Sequence, residues 1–437
     1  MSLVNIIIGL ILVYWAAICL YSKKDIYYPI DSSCSLKYNK LMHFLFIVII
    51  NSYFFGSNFL TLSRIIIFSI FSIHIFLLRK WNFYIDKTIV RVYVIFYLWL
   101  IFTLTYSTGI EQGLLMLGKY AIPFVFLVFS YHALQNEEEY VLWLRRINRL
   151  NIIYIVVHGI APIGKAIDIV ASDFFEGEHG YSMAIFVTIP ITLYALTKKK
   201  IYLFEAFLYV LPAVTYMRRA AFGAYFLTIG VFMLYKYKLK GVVVSFILLT
   251  GIIISIFAVE PLKERFFGGD KGDASSLTLK DLTQGDIQIN STGRDAMWGV
   301  VYEMFFVGHE IKGSGLGSMK RYITSDDNEH KDAFMILHND YLHLACETGA
   351  VGVTLWLFFY VAIILKVKNE IRRIRRSIVV YSGLSAIGGF IAIAFVMFFA
   401  NVVSSPFLFV QPFILLGFFL KIAKFYKLKH ECIYLGE

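Results

Sequence analysis

Within Leu337–Gly352, LHNDYLHLACETGAVG, His338 is placed to take up a proton at working pH. An unperturbed imidazole has a pKa of about 6.5, so it is available as a base near neutrality. Asn339, Asp340 and Tyr341 follow it and offer hydrogen-bonding groups. The competing reading of His338 is a helix-end residue that merely caps the apolar run beginning near Ala350. A metal shared with His343 is disfavoured by geometry. Five residues along a helix turn the chain by roughly 500°, so the two rings point well apart. No Ser or Cys nucleophile paired with His338 is identifiable from spacing.

The other groups that could do chemistry are cations at membrane depth or just outside it, where charge is costly and tends to be functional. Lys119 lies inside one apolar run, Lys165 near the end of another, and Arg218–Arg219 at the junction of two more. Arg294 opens an amphipathic stretch in a long polar segment, and Arg64 lies several residues into its own run. Under one consistent threading these cations share the extracytoplasmic leaflet. A diphosphate suits them, because Arg offers a planar fork matched to phosphate oxygens and Lys a compact point charge. The plainer reading of Arg218 and Arg219 is snorkelling to lipid phosphate. Lys119 and Lys165 have an equally plain reading, and pairing with a carboxylate is the favoured one for Arg64. Gly313–Ser318, GSGLGS, spells like a nucleotide loop, but no strand precedes it and it falls outside the cytoplasm. It reads as a tight turn that lets backbone approach a ligand or a neighbour. Glu137–Glu139 reads as a solvated cytoplasmic face, and Asp326–Asp327 is weak evidence for a cation.

The elements that position these groups are membrane helices. The chain of 437 residues is 59% hydrophobic and 16% charged, with a mean hydropathy of +0.69. A soluble protein carries about 25% charged residues. The net charge of +11 does not imply nucleic acid, since the basic clusters fall between apolar runs, where orientation in the membrane explains them. The four cysteines lack metal-type spacing. We read an all-α polytopic bundle of about 12–14 transmembrane helices, each needing about 20 apolar residues. The spans fall near 4–21, 41–56, 59–78, 89–107, 113–134, 150–170, 181–197, 201–217, 220–235, 241–259, 349–365, 378–403 and 406–420. The first lacks the flanks of a cleaved signal peptide. The clusters Lys198–Lys200, Lys236–Lys240, Lys366–Arg376 and Lys421–Lys429 set one side as cytoplasmic. Residues 1–259 form an N-terminal bundle, 260–345 one large extracytoplasmic loop, and 346–437 the C-terminal helices. In that loop Trp298, Tyr302, Phe305 and Phe306 recur at helical spacing, which predicts an amphipathic helix near the membrane surface.

The motif HN-x-YL…E-x-G-x-x-G, here His338, Asn339, Tyr341, Leu342, Glu347, Gly349 and Gly352, resembles the bacterial O-antigen ligase/polymerase family. Thr292–Trp298, the GSGLGS run and Thr215–Ala221 resemble further motifs of that family. The resemblance implies a membrane glycosyltransferase working on glycans carried by undecaprenyl diphosphate at the outer face of the bacterial inner membrane. It implies that His338 activates the acceptor hydroxyl. Arg294 and one of Arg218 or Arg219 then hold the departing diphosphate. The family junction usually has one arginine before a small residue; Arg219 fits that context and Arg218 the spacing from Thr215. Lys119, Lys165, Asn339, Tyr341 and Glu347 are the expected substrate contacts. No cofactor or metal is called for.

Two activities share these residues: a polymerase joining lipid-linked repeat units into O-antigen or capsule, and a ligase moving the glycan to lipid A–core. The acceptor, a second lipid-linked glycan or lipid A–core, separates them, and a chain-length regulator is a possible partner of the first. A flippase for lipid-linked sugars would explain the cations but not the long outer loop ending in a histidine motif.

Overall fold

In lipid, an apolar run must satisfy its own backbone, and a helix does this within one segment. The computed structural model describes residues 85–134, 136–158, 179–215, 219–238, 240, 241, 243, 294–324 and 337–434, and among these no strand occurs. The helices are α1 (Lys87–Leu104), α2 (Ile110–Ala133), α3 (Glu137–His158), α4 (His179–Phe186), α5 (Thr188–Thr197), α6 (Ile201–Leu208), α7 (Leu211–Thr215) and α8 (Arg219–Tyr237). They continue as α9 (Arg294–Phe305), α10 (Ser318–Thr324), α11 (Asp340–Ile374), α12 (Ser377–Val396), α13 (Pro406–Phe409) and α14 (Gln411–Tyr434). Among the described residues six segments are long and apolar enough to cross a membrane, so the chain is a multi-pass, helical membrane protein. The spans expected at 4–21, 41–56 and 59–78, and nearly all of 241–259, lie outside the described residues.

In two places a helix runs through a basic cluster that was expected to lie outside it. The helix expected from residue 150 begins at Glu137, so Arg145, Arg146 and Arg149 lie within α3, not in a loop. Likewise α11 continues past its apolar stretch through Lys366, Lys368, Arg372 and Arg373. Lys, Arg and Glu are good helix formers, and long basic side chains reach water from within a helix end. A helix therefore outlasts the apolar signal that announces it.

Helix α12, with 72% of its apolar window buried, is second only to Gly180–Thr197, at 78%, among the six candidate spans of the described residues. It packs on α14, α8, α5, α11 and α4. Its small residues Ser382, Gly383, Ser385, Ala386, Gly388 and Gly389 allow that approach, as small residues do between membrane helices. Beside it an aromatic cluster fills the centre of the bundle. Trp356 stacks near Phe359 with ring centroids at 5.4 Å, and Phe359 meets Phe413 at 5.7 Å and Phe390 at 6.1 Å. Phe96, Tyr120 and Phe409 close around Trp356 from α1, α2 and α13. Offset and edge-on pairs of this kind add about 0.5–1.5 kcal/mol each beyond burial.

The basic end of α11 meets the start of α1. There Lys366 Nζ lies 2.6 Å from Asp86 Oδ2 and 2.8 Å from Glu370 Oε1, which ties α11 to the start of α1. Asp86 also caps α1 by accepting from the N–H groups of Thr88 and Ile89.

The opposite end is organised by a break in α11. Gly349 has φ 67° and ψ −173°, a backbone region open essentially to glycine alone. The break strips neighbouring carbonyls and N–H groups of their helical partners, and each group must be satisfied elsewhere. The GSGLGS loop supplies the partners. Ser314 N donates to the Cys346 carbonyl at 2.9 Å, and Gly315 N to the Glu347 carbonyl at 3.0 Å. The Trp99 indole donates to the Thr348 carbonyl at 3.0 Å. In return Ala350 N donates to the Glu310 carbonyl at 2.7 Å and Val351 N to the Ile311 carbonyl at 3.3 Å. Gly313, at φ 75°, passes so near this break that any side chain on it would strike Glu347 and Thr348 backbone.

A Cβ at Gly349 would collide with the Ile311 carbonyl. We expect Gly349→Ala to lose more than about 3 kcal/mol, from backbone strain plus collision. Gly299→Ala, in α9 with open space around it, should be neutral or stabilise by up to about 1 kcal/mol. Thermal unfolding of the two variants in detergent checks the contrast.

Candidate functional site

The half-helix ahead of the break, Asp340–Thr348, begins where a side chain replaces the missing backbone partner. Asn339 is extended, at φ −153° and ψ 99°, and its Oδ1 accepts from Leu342 N at 3.0 Å. Such an N-cap adds about 1 kcal/mol. His338 stands immediately before it, partly exposed, at φ 54°. A left-handed histidine costs about 1–2 kcal/mol relative to ordinary backbone. It persists because both neighbours are held. The Leu337 carbonyl accepts from the Trp298 indole at 2.8 Å, and Asn339 caps the helix.

Asp340 holds the half-helix from the other side. Its N–H donates to the Met397 carbonyl at 2.8 Å, and its Oδ2 accepts from Val403 N at 3.1 Å. The carboxyl is 2% exposed. The next residue, Tyr341, donates its hydroxyl to the Ala394 carbonyl at 3.1 Å, and its ring lies 4.4 Å from that of Phe398. On the next turn His343 Nε2 lies 3.2 Å from Glu347 Oε1, although the N–H is not aligned for a hydrogen bond. Glu347 is 1% exposed, and the same oxygen accepts from Lys320 N in α10 at 3.3 Å. Asp340, His343 and Glu347 thus form a buried ionisable column along one face of the half-helix that follows His338. Lys119 from α2 lies within electrostatic reach of Asp340, and Lys320 within reach of His343.

The cations expected from sequence are brought to this end to different degrees. Arg294 is the first residue of α9, one turn ahead of Trp298, whose indole holds the residue before His338. Arg219 is partly buried and opens α8. One turn later Gly223 packs on Phe395, the residue after the carbonyl that Tyr341 grips. Hence Arg219 and His338 flank the same end of α12. Lys119 is partly buried beside Tyr120 and acts on Asp340. Arg218 and Lys165 lie outside the described residues.

Of the expected substrate contacts, Asn339 and Glu347 are engaged as cap and buried tie, and Tyr341 as a link to α12. Asp340, His343 and Lys320 are among the polar residues at this end that sequence reasoning does not single out as site residues. Asn339 followed by an acidic first turn, Asp340, was the available signal that the helix starts there rather than at residue 349. The GSGLGS loop takes the neighbour alternative of its reading. Its Ser314 and Gly315 N–H groups are occupied by helix carbonyls, and Ser318 Oγ lies 3.1 Å from Ser107 Oγ and accepts from Thr108 N. Among the described residues no three His, Cys, Asp or Glu side chains converge as a metal-holding group.

Residues 203–357 match a family model described as O-antigen ligase. The matched stretch contains Arg218, Arg219, Arg294, His338 and Glu347, and excludes Lys119 and Lys165. No curated protein matches the chain significantly.

His338→Gly should relieve the left-handed backbone and raise the melting temperature slightly. Asn339→Ala should lower stability by about 1 kcal/mol through loss of the cap. Paired melting curves check both. A histidine whose backbone is unstrained would melt no higher as glycine.

Proposed function

From a match that supports membership of the O-antigen ligase/polymerase family, we propose that this chain is a polymerase that joins undecaprenyl-diphosphate-linked repeat units into O-antigen or capsular polysaccharide. Its coarser character is a multi-pass membrane enzyme of ligase/polymerase type that uses lipid-linked glycans. The observation that supports glycosyl transfer of either kind at this place is His338, held in a strained backbone at the start of a clamped half-helix. Strain of this kind is retained where a side chain must be aimed.

His338 takes the proton from the acceptor hydroxyl. The hydroxyl oxygen attacks the anomeric carbon of the donor sugar, and the bond from that carbon to the diphosphate oxygen breaks. The electron pair leaves with the lipid diphosphate, stabilised by Arg294 and one of Arg218 or Arg219, with Lys119 and Lys165 on the same leaflet. A positioned base contributes about 10²–10⁴-fold, and fixed cations at the developing charge contribute several kcal/mol. The anomeric configuration inverts, with no glycosyl-enzyme intermediate. Asn339, Tyr341 and Glu347 serve the substrate indirectly, by fixing the half-helix. The active site faces the extracytoplasmic side of the bacterial inner membrane.

The description of the matched family as O-antigen ligase favours one second reading, a ligase that transfers the finished glycan to lipid A–core. The two readings differ only in acceptor.

The test is the glycan profile of a deletion strain carrying wild type, His338→Ala or Arg294→Ala. A ladder collapsed to single repeats in the deletion, and unrestored by either variant, is the expected outcome. Accumulation of long lipid-linked chains with loss of surface glycan would identify the ligase instead. Full rescue by His338→Ala would remove the base assignment under both readings.

A further inference from the structure

The sequence places an amphipathic helix on the membrane through Trp298, Tyr302, Phe305 and Phe306. In the structure most of that face turns inward. Trp298, Val301 and Phe305 pack with Met319, Ile323, Leu337 and Cys346 in a core of their own. A different set of apolar side chains remains outside. Tyr302 and Met304 are each 46% exposed, Val307 is 52% exposed and Ile311 is 72% exposed. They are not on a loose loop. His309 N donates to the Phe306 carbonyl at 2.8 Å, Gly313 N to the His309 carbonyl at 2.7 Å, and Gly308 N to Glu310 Oε1 at 2.8 Å. The N–H groups of Gly308 and Glu310 hold the exposed Glu310 carboxyl below the usual carboxylate range. The turn is a hydrogen-bonded knuckle that presents Val307 and Ile311 outward.

Its position along the bundle is fixed. The Glu310 and Ile311 carbonyls accept from Ala350 and Val351, the first residues of the apolar arm of α11. That arm exposes a stripe from Ala350 through Leu357 to Val361, the face a spanning helix turns to lipid. On the other flank stands α1, with Leu98 58% and Phe102 51% exposed. Tyr106, just past its end, donates its hydroxyl to the Lys312 carbonyl, and the Lys312 ammonium lies 5.2 Å from the Tyr106 ring centroid. Tyr and Lys are the residues that sit at the level of lipid headgroups. The exposed ridge therefore continues the lipid-facing surface of α1 and α11 at its boundary with water.

We propose that Val307 and Ile311, with Tyr302 beside them, seat in the headgroup–acyl boundary of the bilayer and anchor α9 to the membrane surface. The occupant is the bilayer itself, reached through an apolar surface already continuous with two spanning helices. Elements of this type bury their apolar face about 5–10 Å into that boundary. The proposal rests on the membrane architecture and not on the reaction assigned above.

The experiment uses the full chain in vesicles of phosphatidylethanolamine and phosphatidylglycerol, without polyprenyl lipid. Cys19, Cys34 and Cys432 are replaced by Ser and buried Cys346 is kept. A nitroxide is attached in turn at Ile311→Cys, Val307→Cys and Glu303→Cys, and its collisions with oxygen and with a water-soluble nickel complex are measured. Expected is a several-fold higher oxygen-to-nickel ratio at positions 307 and 311 than at 303. Equal, water-like ratios at all three positions would overturn the proposal. So would shielding of 307 and 311 from both reagents, which would mark a protein partner or a second copy. Should the label at 307 or 311 lower the melting temperature below that of the parent, the ratio at the other of the two positions decides.

Discussion

The physical constraint on which this end of the molecule depends is backbone hydrogen bonding around Gly349. A membrane helix cannot leave carbonyls and N–H groups open in a medium without water. Interrupting α11 is therefore tolerated only where another segment brings matching groups. The GSGLGS loop and the residues just before it do so from both sides, donating two N–H groups and accepting two, while Trp99 closes the remaining carbonyl. One loop, one indole and one glycine thereby convert a continuous 35-residue helix into a spanning arm and a separately aimed half-helix.

The half-helix is then fixed by bonds to parts of the chain far apart in sequence. Trp298 from α9 holds Leu337, Met397 and Val403 hold Asp340, Ala394 holds Tyr341, and α10 meets Glu347. These are mostly side chain to backbone contacts, which specify position without demanding a particular side chain on the partner. Beneath them the cluster around Trp356 gives the site a stiff floor. Aromatic side chains have few rotatable bonds, so a core built of them resists rearrangement.

Much of this was legible in the sequence, for reasons that differ by residue. The spans at 89–107 and 113–134 were visible because hydropathy and membrane thickness are one property. The stretch around His338 stood out because ionisable and amide side chains gather there at fixed spacing beside an apolar span. The start of α11 at Asp340 was hidden because its first turns are polar on one face and the apolar signal begins only at Ala350. The inward turn of Trp298 and Phe305 was hidden because a helix that covers protein and one that covers lipid have the same periodicity. The pairing of GSGLGS with residues 346–351 was beyond reach. Its contacts are between backbone groups, which carry no residue code beyond the glycines.

The partners of the half-helix also lie in a definite order along the chain. Everything that satisfies the break at Gly349, from Trp99 to Gly315, precedes it and is synthesised earlier. The partners of Asp340 and Tyr341, residues 394–403, follow it. The break itself can therefore be satisfied as soon as it forms, while the arm beyond it awaits Phe390, Phe409 and Phe413 for its aromatic packing. The frame around His338 is completed only when α12 and the turn after it have been inserted. A chain interrupted between these events would hold a properly broken α11 with an unsecured His338, so the half-helix takes its final aim late in biogenesis, after α12 and the turn beyond it are in place.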